Sequence, residues 1–456
     1  MHSATTIGRP KGRLNISDVG PRFGSTKLAA GSTKRAAGAP HIRAFCECVG
    51  VCAIRAALIL AVLSALLLIA ARPAHAQETV LYNFTGGSDG GGPMSGLTFD
   101  AAGNLYGTTY FGGLACAESQ YGCGTVFELS PNGNGGWNET VLYSFTGGAD
   151  GAYPNSDVIF DSVGNLYGTA YEGGVNGCGY GDGCGIVFEL SPVGTSWTET
   201  VLLSFTGSQG DGGFPQNGVI MDPAGNLYGT TCSCGAGYGT LFKLSPSGGG
   251  WTEQVLTGAD GFSGLTMDPA GDIFGAWLNE DSTVFELSPI GNLTEIHTFT
   301  GAPKDGSDAE GTPVLDQAGN LYGTTLLGGA KNLGTVYKLS PVKKGKKKGE
   351  WTEKILYSFK GGKDGCGPTA GIVFGAAGNI YGTTTWCGYE NMSGTVFELV
   401  APVGKGGYKE KVLLGFNGTG GAKPYGSLIL DSAGNLYGTA SRGGSSGWGV
   451  VFEVTP

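Results

Sequence analysis

From residue 77 to the end of the chain, short runs of Val, Leu, Thr, Phe and Tyr alternate with breaks of Gly, Asn, Asp, Ser and Pro. No stretch in that span sustains the three- and four-residue apolar spacing of an amphipathic helix. The runs have strand length and come in fours. In the first complete set they cover residues 96–100, 104–109, 124–130 and 137–145, designated strands a, b, c and d. Turn chemistry separates them. Between a and b stands Asp100-Ala-Ala-Gly-Asn104, where the Asp side chain caps the turn and Gly103 supplies a positive φ. Between c and d, Ser130-Pro-Asn-Gly leads to Trp137, a second hairpin.

This unit repeats. Its core, Asp-x-x-Gly-Asn-Leu-Tyr-Gly, begins at Asp100 and returns at Asp161, Asp222, Asp316 and Asp431, with weaker copies at Asp268 and Gly375. Seven copies of a four-stranded meander, about 46 to 61 residues apart, predict an all-β, seven-bladed β-propeller of antiparallel blades. A β-solenoid is disfavoured because its coils are shorter and carry no paired hairpins. The phase of the repeat predicts closure. Residues 78–84 read as a strand d, and the chain ends at 449–456 on a strand c. An N-terminal outer strand therefore completes the last blade and leaves no open edge. A glycine recurs inside each strand b (Gly107, Gly168, Gly229, Gly275, Gly323, Gly382, Gly438), which predicts close packing against a neighbour. The fourth unit is degenerate: no Gly-Gly pair follows Trp277.

Residues 1–76 differ in kind and form a separate region from the propeller domain at 77–456. They hold ten Lys/Arg against two acids, then the apolar run 56–71, then Ala74-His-Ala76. This pattern reads as a basic extension and a secretory signal peptide cleaved after Ala76, with an uncleaved N-terminal anchor as the alternative. The apolar run is short for a membrane span. The whole chain carries −10, so removal of the +8 leader leaves residues 77–456 near −18, with Arg442 as their one arginine. Such a surface repels nucleic acid and anionic lipid. The basic run at 343–348 falls in a hairpin loop and reads as solvated.

Asn-Leu-Tyr-Gly-Thr, Gly-Thr-Val-Phe-Glu-Leu-Ser-Pro and Val-Leu-Tyr-Ser-Phe-x-Gly-Gly-x-Asp-Gly together resemble the bacterial choice-of-anchor GloVer tandem-repeat family across residues 77–456. The Gly-Gly pairs after strand b, at Gly112-Gly113, Gly173-Gly174, Gly328-Gly329 and Gly443-Gly444, give a partial likeness to kelch propellers. The GloVer resemblance implies a secreted or surface-displayed repeat protein of unassigned activity. The family's sorting signals vary; here the repeats run to the last residue with no C-terminal anchor, and no lipobox follows the apolar run.

Eight cysteines follow residue 76, an even number that favours disulfides in an exported protein. Cys116 with Cys123, and Cys178 with Cys184, share one b–c loop each. Cys366 in a d–a loop and Cys387 in a b–c loop emerge on one face, so they can meet. Cys232 and Cys234 stand too close for an unstrained bridge; a strained disulfide or two thiols are the first alternatives, and a redox or metal role is the other.

Candidate chemistry is sparse. His297 is the one histidine after residue 76 and falls where Tyr143 and Tyr357 fall, which reads as packing. A catalytic triad or a histidine-built metal centre is therefore not expected, and no metal ligands are assigned. The d–a loops carry a recurring acid at Asp89, Asp150, Asp211, Asp260, Asp305 and Asp364. It reads first as turn chemistry and second as an acidic rim for a polyhydroxylated ligand. No cofactor is implied, Ca²⁺ being the one ion such a rim suits. Strand-c glutamates (Glu128, Glu189, Glu286, Glu398, Glu453) read as solvent-facing. The variable d–a and b–c loops, with Tyr121, Tyr180, Trp386 and Tyr389, form the expected ligand face, because binding residues reside on variable loops of a fixed scaffold.

These observations point to a secreted or cell-surface monomeric propeller acting as a binding or display module rather than an enzyme. Its expected partner is an extracellular polysaccharide or surface protein. The alternatives are a carbohydrate-active enzyme using blade-specific carboxylates such as Asp157 or Asp308, and a structural surface-assembly protein.

Overall fold

Alternating strands and turns build what their spacing predicts. The computed structural model describes residues 76–456, apart from 117–118, 175–177, 179–182, 208–209, 233–238, 260, 262, 279–281, 345–348 and 389–391. The leader, Tyr180, Cys234, Asp260, Tyr389 and most of the basic hairpin tip thus lie outside the described residues. Among the described residues the strands form seven four-stranded antiparallel sheets and one two-stranded ladder. In the first blade, strand a is Thr98–Phe99, b Leu105–Thr109, c Thr125–Pro131 and d Trp137–Ser144. All seven c–d ladders slip register at one equivalent place, between Val126 and Phe127 in the first blade. A bulge repeated at one level gives every blade the same added twist. No helix among the described residues is long and apolar enough to cross a membrane.

Closure follows from pairing the two ends. The strand Gln77–Asn83 lies antiparallel to Val450–Thr455, with Gln77 opposite Thr455 and Asn83 opposite Val450. It is the outer strand of a sheet whose other members are Leu436–Ala440 and Ile429–Leu430. The last blade is therefore the only one assembled from both ends of the domain.

Blades meet through aromatic seams. A phenylalanine just after strand d packs edge-on against the aromatic residue in strand c of the next blade. The pairs are Phe84–Phe127, Phe145–Phe188, Phe205–Phe242, Phe299–Tyr337, Phe359–Phe397 and Phe416–Phe452, with ring centres 5.0–5.3 Å apart. Each such contact adds about 0.5–1.5 kcal/mol beyond area burial. The same strand-c ring explains the strand-b glycine. A Cβ on Gly107 would lie 2.7 Å from the Phe127 ring, and on Gly382 2.6 Å from Phe397. The glycine exists so that the ring can lie across strand b. At the fourth blade the strand-c ring, Phe285, is stacked on Trp277 from that blade's own strand b, at 5.5 Å and 22°.

The a–b turns are held by one carboxylate each. Asp100 accepts the amides of Ala102 and Asn104, the Asn104 side-chain amide and the Tyr106 hydroxyl. Asp161, Asp222, Asp316 and Asp431 repeat the set. The sixth blade has Gly375 in that place. There Glu398 in strand c turns inward, 7% exposed, and accepts the Asn379 amide at 2.7 Å and the Tyr381 hydroxyl at 3.1 Å. Glu398 is thus not the solvent-facing residue its strand position suggests, because a missing acid across the turn leaves two donors that need an acceptor.

Candidate functional site

The d–a and b–c connections share one face of the propeller, joined by bridges such as Gly91 to Phe111 and Cys366 to Trp386. Three disulfides pin this face: Cys116–Cys123, Cys178–Cys184 and Cys366–Cys387. Cys232 carries a free thiol, which burial pushes up to about 11, so it is protonated and unreactive at neutral pH.

The recurring d–a loop acids fold back on their own turns. Asp89 accepts the Thr85 amide at 2.8 Å and the Tyr82 hydroxyl at 3.2 Å. Asp150 does the same with Thr146 and Tyr143, and Asp364 with Lys360 and Tyr357. Asp211 and Asp305 each hold a threonine, Thr206 and Thr300, through amide and hydroxyl. In the loop without an acid, Asn417 stands in the place of Thr85 and accepts different donors, the amides of Thr419 and Gly420 and the Thr419 hydroxyl.

A second carboxyl row faces these acids, and sequence reasoning missed it. Strand d carries Glu139, Glu199, Glu253, Glu353 and Glu410, each buried in part against the acid of the preceding blade. Burial first, and then Asp89, Asp150, Asp211, Asp305 and Asp364 in turn, push their carboxyls up to about 7. The available signal was a Glu at one fixed position before the Val or Ile of six d runs, the sixth being Glu78. One seam differs. At the fourth blade His297 replaces the tyrosine, its Nε2 standing 3.6 Å from Asp305 Oδ2. Donor atoms of His297, Asp305 and Glu353 all lie within 4.8 Å of one another. Burial lowers the His297 pKa, with Asp305 opposing, so the ring is neutral at pH 7.

Two cavities stand out among the described residues. The larger, about 410 Å³, collects the segments that precede strand a in several blades, including Asn155, Asp157, Gln216, Glu310, Thr312 and Tyr425. The rim acids are not part of its wall. Asp157 accepts the Gly96 amide across a seam; its side chain is exposed to the cavity, and the protein around it raises its pKa while the Gly96 amide lowers it. Glu310 is raised by burial and then by Asp308. Of the two blade-specific acids the sequence offered, Asp157 reaches the cavity, while Glu310 rather than Asp308 lines it on the other side of the repeat.

The smaller cavity, about 300 Å³, lies where the last blade meets the first, between Met94, Phe111, Arg442 and Trp448. Aromatic rings extend from it. Tyr121, half exposed, stands 5.8 Å from Trp448 and 6.3 Å from Phe111. Tyr153 stacks on Tyr110 at 4.9 Å, and Tyr171 meets Phe214 at 5.1 Å. Tyr153 and Phe214 are aimed by left-handed backbone (φ 57° and 54°), as is Lys423 (φ 61°). Lys423 places its ammonium 5.8 Å from the Trp386 ring, and Arg442 lowers its pKa further than burial alone. Neither cation has a salt bridge among the described residues.

Three segments of the chain, residues 68–252, 113–302 and 276–456, match the model of the Gloeobacter/Verrucomicrobia repeat. No curated protein matches the chain. Among solved structures, similarity extends to the WD40 β-propeller domain of Doa1, at 12% identity and a TM-score of 0.47, over 83% of this chain and 95% of that one. It extends also to a protein provisionally named a gluconolactonase, at 14% identity and a TM-score of 0.37, over 68% and 89%.

Proposed function

We propose a function from one premise: the chain belongs to the Gloeobacter/Verrucomicrobia repeat family. It is an extracellular binding module, monomeric, whose ligand is a polysaccharide held on the disulfide-pinned loop face. The disulfides and the family support an extracellular setting. A single juxtaposition carries the ligand class: a polar cavity on the propeller axis beside an arc of aromatic rings running from Trp448 through Tyr121 and Phe111 to Tyr153. Sugar rings present apolar faces to aromatics and hydroxyls to amides and carboxyls, and this surface offers both. Arg442 and Lys423, side by side in a strongly acidic domain, favour a sugar that carries carboxylate or sulfate groups. A glycan array with the purified protein tests this. Binding to acidic polysaccharides, weakened in Trp448→Ala and in Arg442→Ala, supports it; an array without signal overturns it.

A second reading has its own observation. Asp157 and Glu310 line one cavity and both hold raised carboxyls, as a general acid requires. Release of reducing ends from a bound glycan, abolished in Asp157→Asn with binding retained, would make the module a glycan-cleaving enzyme.

A further inference from the structure

We propose that His297, Asp305 and Glu353 form a binding site for one divalent transition-metal ion of the zinc class at the seam between the fourth and fifth blades. The argument begins with the repeat. At three of the other six seams the residue in the His297 place is Tyr82, Tyr143 or Tyr357, whose hydroxyl donates to the loop acid, and at the remaining three it is Leu203, Thr257 or Leu414. A tyrosine hydroxyl satisfies the acid and closes the seam. An imidazole nitrogen in the same place presents a lone pair when neutral, so this seam alone pairs a nitrogen donor with the two carboxyls.

The geometry is close to that of a formed site. Ligand atoms of a tetrahedral zinc ion, each about 2.0–2.2 Å from the metal, stand about 3.4 Å apart. His297 Nε2 and Asp305 Oδ2 are 3.6 Å apart, and the nearest donor of Glu353 falls within the same 4.8 Å group. Two of the three donors are orphaned: His297 Nε2 and Glu353 Oε1 are inaccessible to solvent and have no hydrogen-bond partner. Buried polar atoms are paired in the great majority of cases; Glu353 Oε1 shares its unpaired state with the strand-d glutamates of the other seams, so the unpaired His297 Nε2 is what sets this seam apart.

The surroundings position these donors. Thr300 donates its amide and hydroxyl to Asp305 Oδ2, at 2.8 and 3.0 Å, and the Gly306 amide donates to Oδ1 at 2.7 Å. Such outer bonds orient a metal-ligating carboxylate. The His297 ring is set edge-on against buried Phe299, 4.8 Å between centres. Nitrogen with two oxygens suits zinc, cobalt or nickel better than calcium, which takes oxygen ligands in larger number.

The test uses the untagged chain, stripped with chelator and titrated calorimetrically with ZnCl₂, and in parallel with CoCl₂ while visible absorption is recorded. One ion per chain and Co²⁺ bands of tetrahedral intensity are expected. His297→Tyr, which installs the residue found at three other seams and so preserves packing, should weaken zinc at least a hundredfold without lowering the metal-free melting temperature. Glu353→Gln should weaken it at least tenfold. Absence of zinc binding in the folded wild type overturns the proposal. So does zinc affinity unchanged in His297→Tyr, or binding of Ca²⁺ in preference to Zn²⁺. None of these outcomes depends on whether the loop face binds a glycan.

Discussion

Thr439 donates its hydroxyl to the carbonyl of Ser95, 2.6 Å away and 344 residues earlier in the chain. Thr108 makes the same bond to Ser156, Thr169 to Asn217 and Thr324 to Ala370, each into the blade that follows. The join between the last blade and the first is therefore built like an internal seam. The N-terminal strand continues it, and Phe84 at its end enters the same aromatic stack as the other seams.

Phe84 is the residue through which this closure is best tested. It is 1% exposed and packs 5.2 Å from Phe127. Phe84→Ala should destabilise the domain by about 3–5 kcal/mol, the usual cost of truncating a buried aromatic. Deleting residues 77–84 should cost more, because it also strips the ladder from Val450–Thr455. Chemical denaturation measures both. A deletion with an unchanged midpoint would show that the ends do not hold the ring.

Cys366–Cys387 closes a separation of 21 residues and ties a d–a loop to a b–c loop. Chain entropy assigns such a loop about 3 kcal/mol at most. Cys366→Ser should lower stability by up to that amount, and reduction should have the same effect on the wild type. Non-reducing peptide mapping should recover the 366–387 pair; alkylation of Cys366 in the folded protein would contradict the structure.

Stability should peak in mildly acidic solution. Glu139, Glu199 and Glu253, facing Asp89, Asp150 and Asp211 and near Tyr82 and Tyr143, are pushed up to about 7, by burial first and the acids second. The folded chain keeps protons that the unfolded chain releases from about 4.5 upward. Their contribution is therefore full below 4.5 and lost as the pH climbs through 7. Asp161, Asp222, Asp316 and Asp431 act oppositely. Partial burial pushes them up, but the N–H and O–H donors around each outweigh it and hold them below 3.8. Their contribution is present above 3.8 and lost below it. The windows do not overlap, which places the maximum near about pH 4–5. Scanning fluorimetry from pH 3 to 8 reads this as a Tm that falls from pH 5 to 7.5. Glu139→Gln with Glu199→Gln should flatten the neutral side alone. A Tm rising across that range would refute the pairing.

What the sequence shows and what it hides divide along the range of the interaction. The Asp100 turn, the Gly107 site and the split last blade are periodic, so seven copies average out the noise and one strand's phase reveals the closure. Glu398 substitutes for the acid missing at Gly375 across its turn. Such exchanges depend on partners brought together by folding, which no local pattern records. The seam glutamates were in plain view, but their meaning needs an aspartate from the preceding blade. The cavity is harder still. Asn155, Gln216 and Tyr425 are ordinary residues before ordinary strands, and only the ring makes them neighbours.

The loop face itself gives the sharpest contrast between binding and folding. Trp448 lies over Gly86 and Gly91, so its ring is held by backbone and its exposed side faces the small cavity with Arg442. Trp448→Ala, Tyr121→Ala and Arg442→Ala should each weaken an acidic glycan about tenfold, roughly 1.4 kcal/mol. Trp386→Ala should weaken it less, since that ring packs on Gly367 and the cation beside it, Lys423, remains. Asp150→Asn and Asp364→Asn should lower the Tm more than they change affinity, because those carboxylates hold their own turns. Asp222→Asn, at an a–b turn on the opposite face, should lower the Tm and leave affinity alone. Affinity and melting measured on the same seven proteins decide the matter. If the a–b variant loses the glycan while the aromatic variants keep it, the ligand sits on the other face.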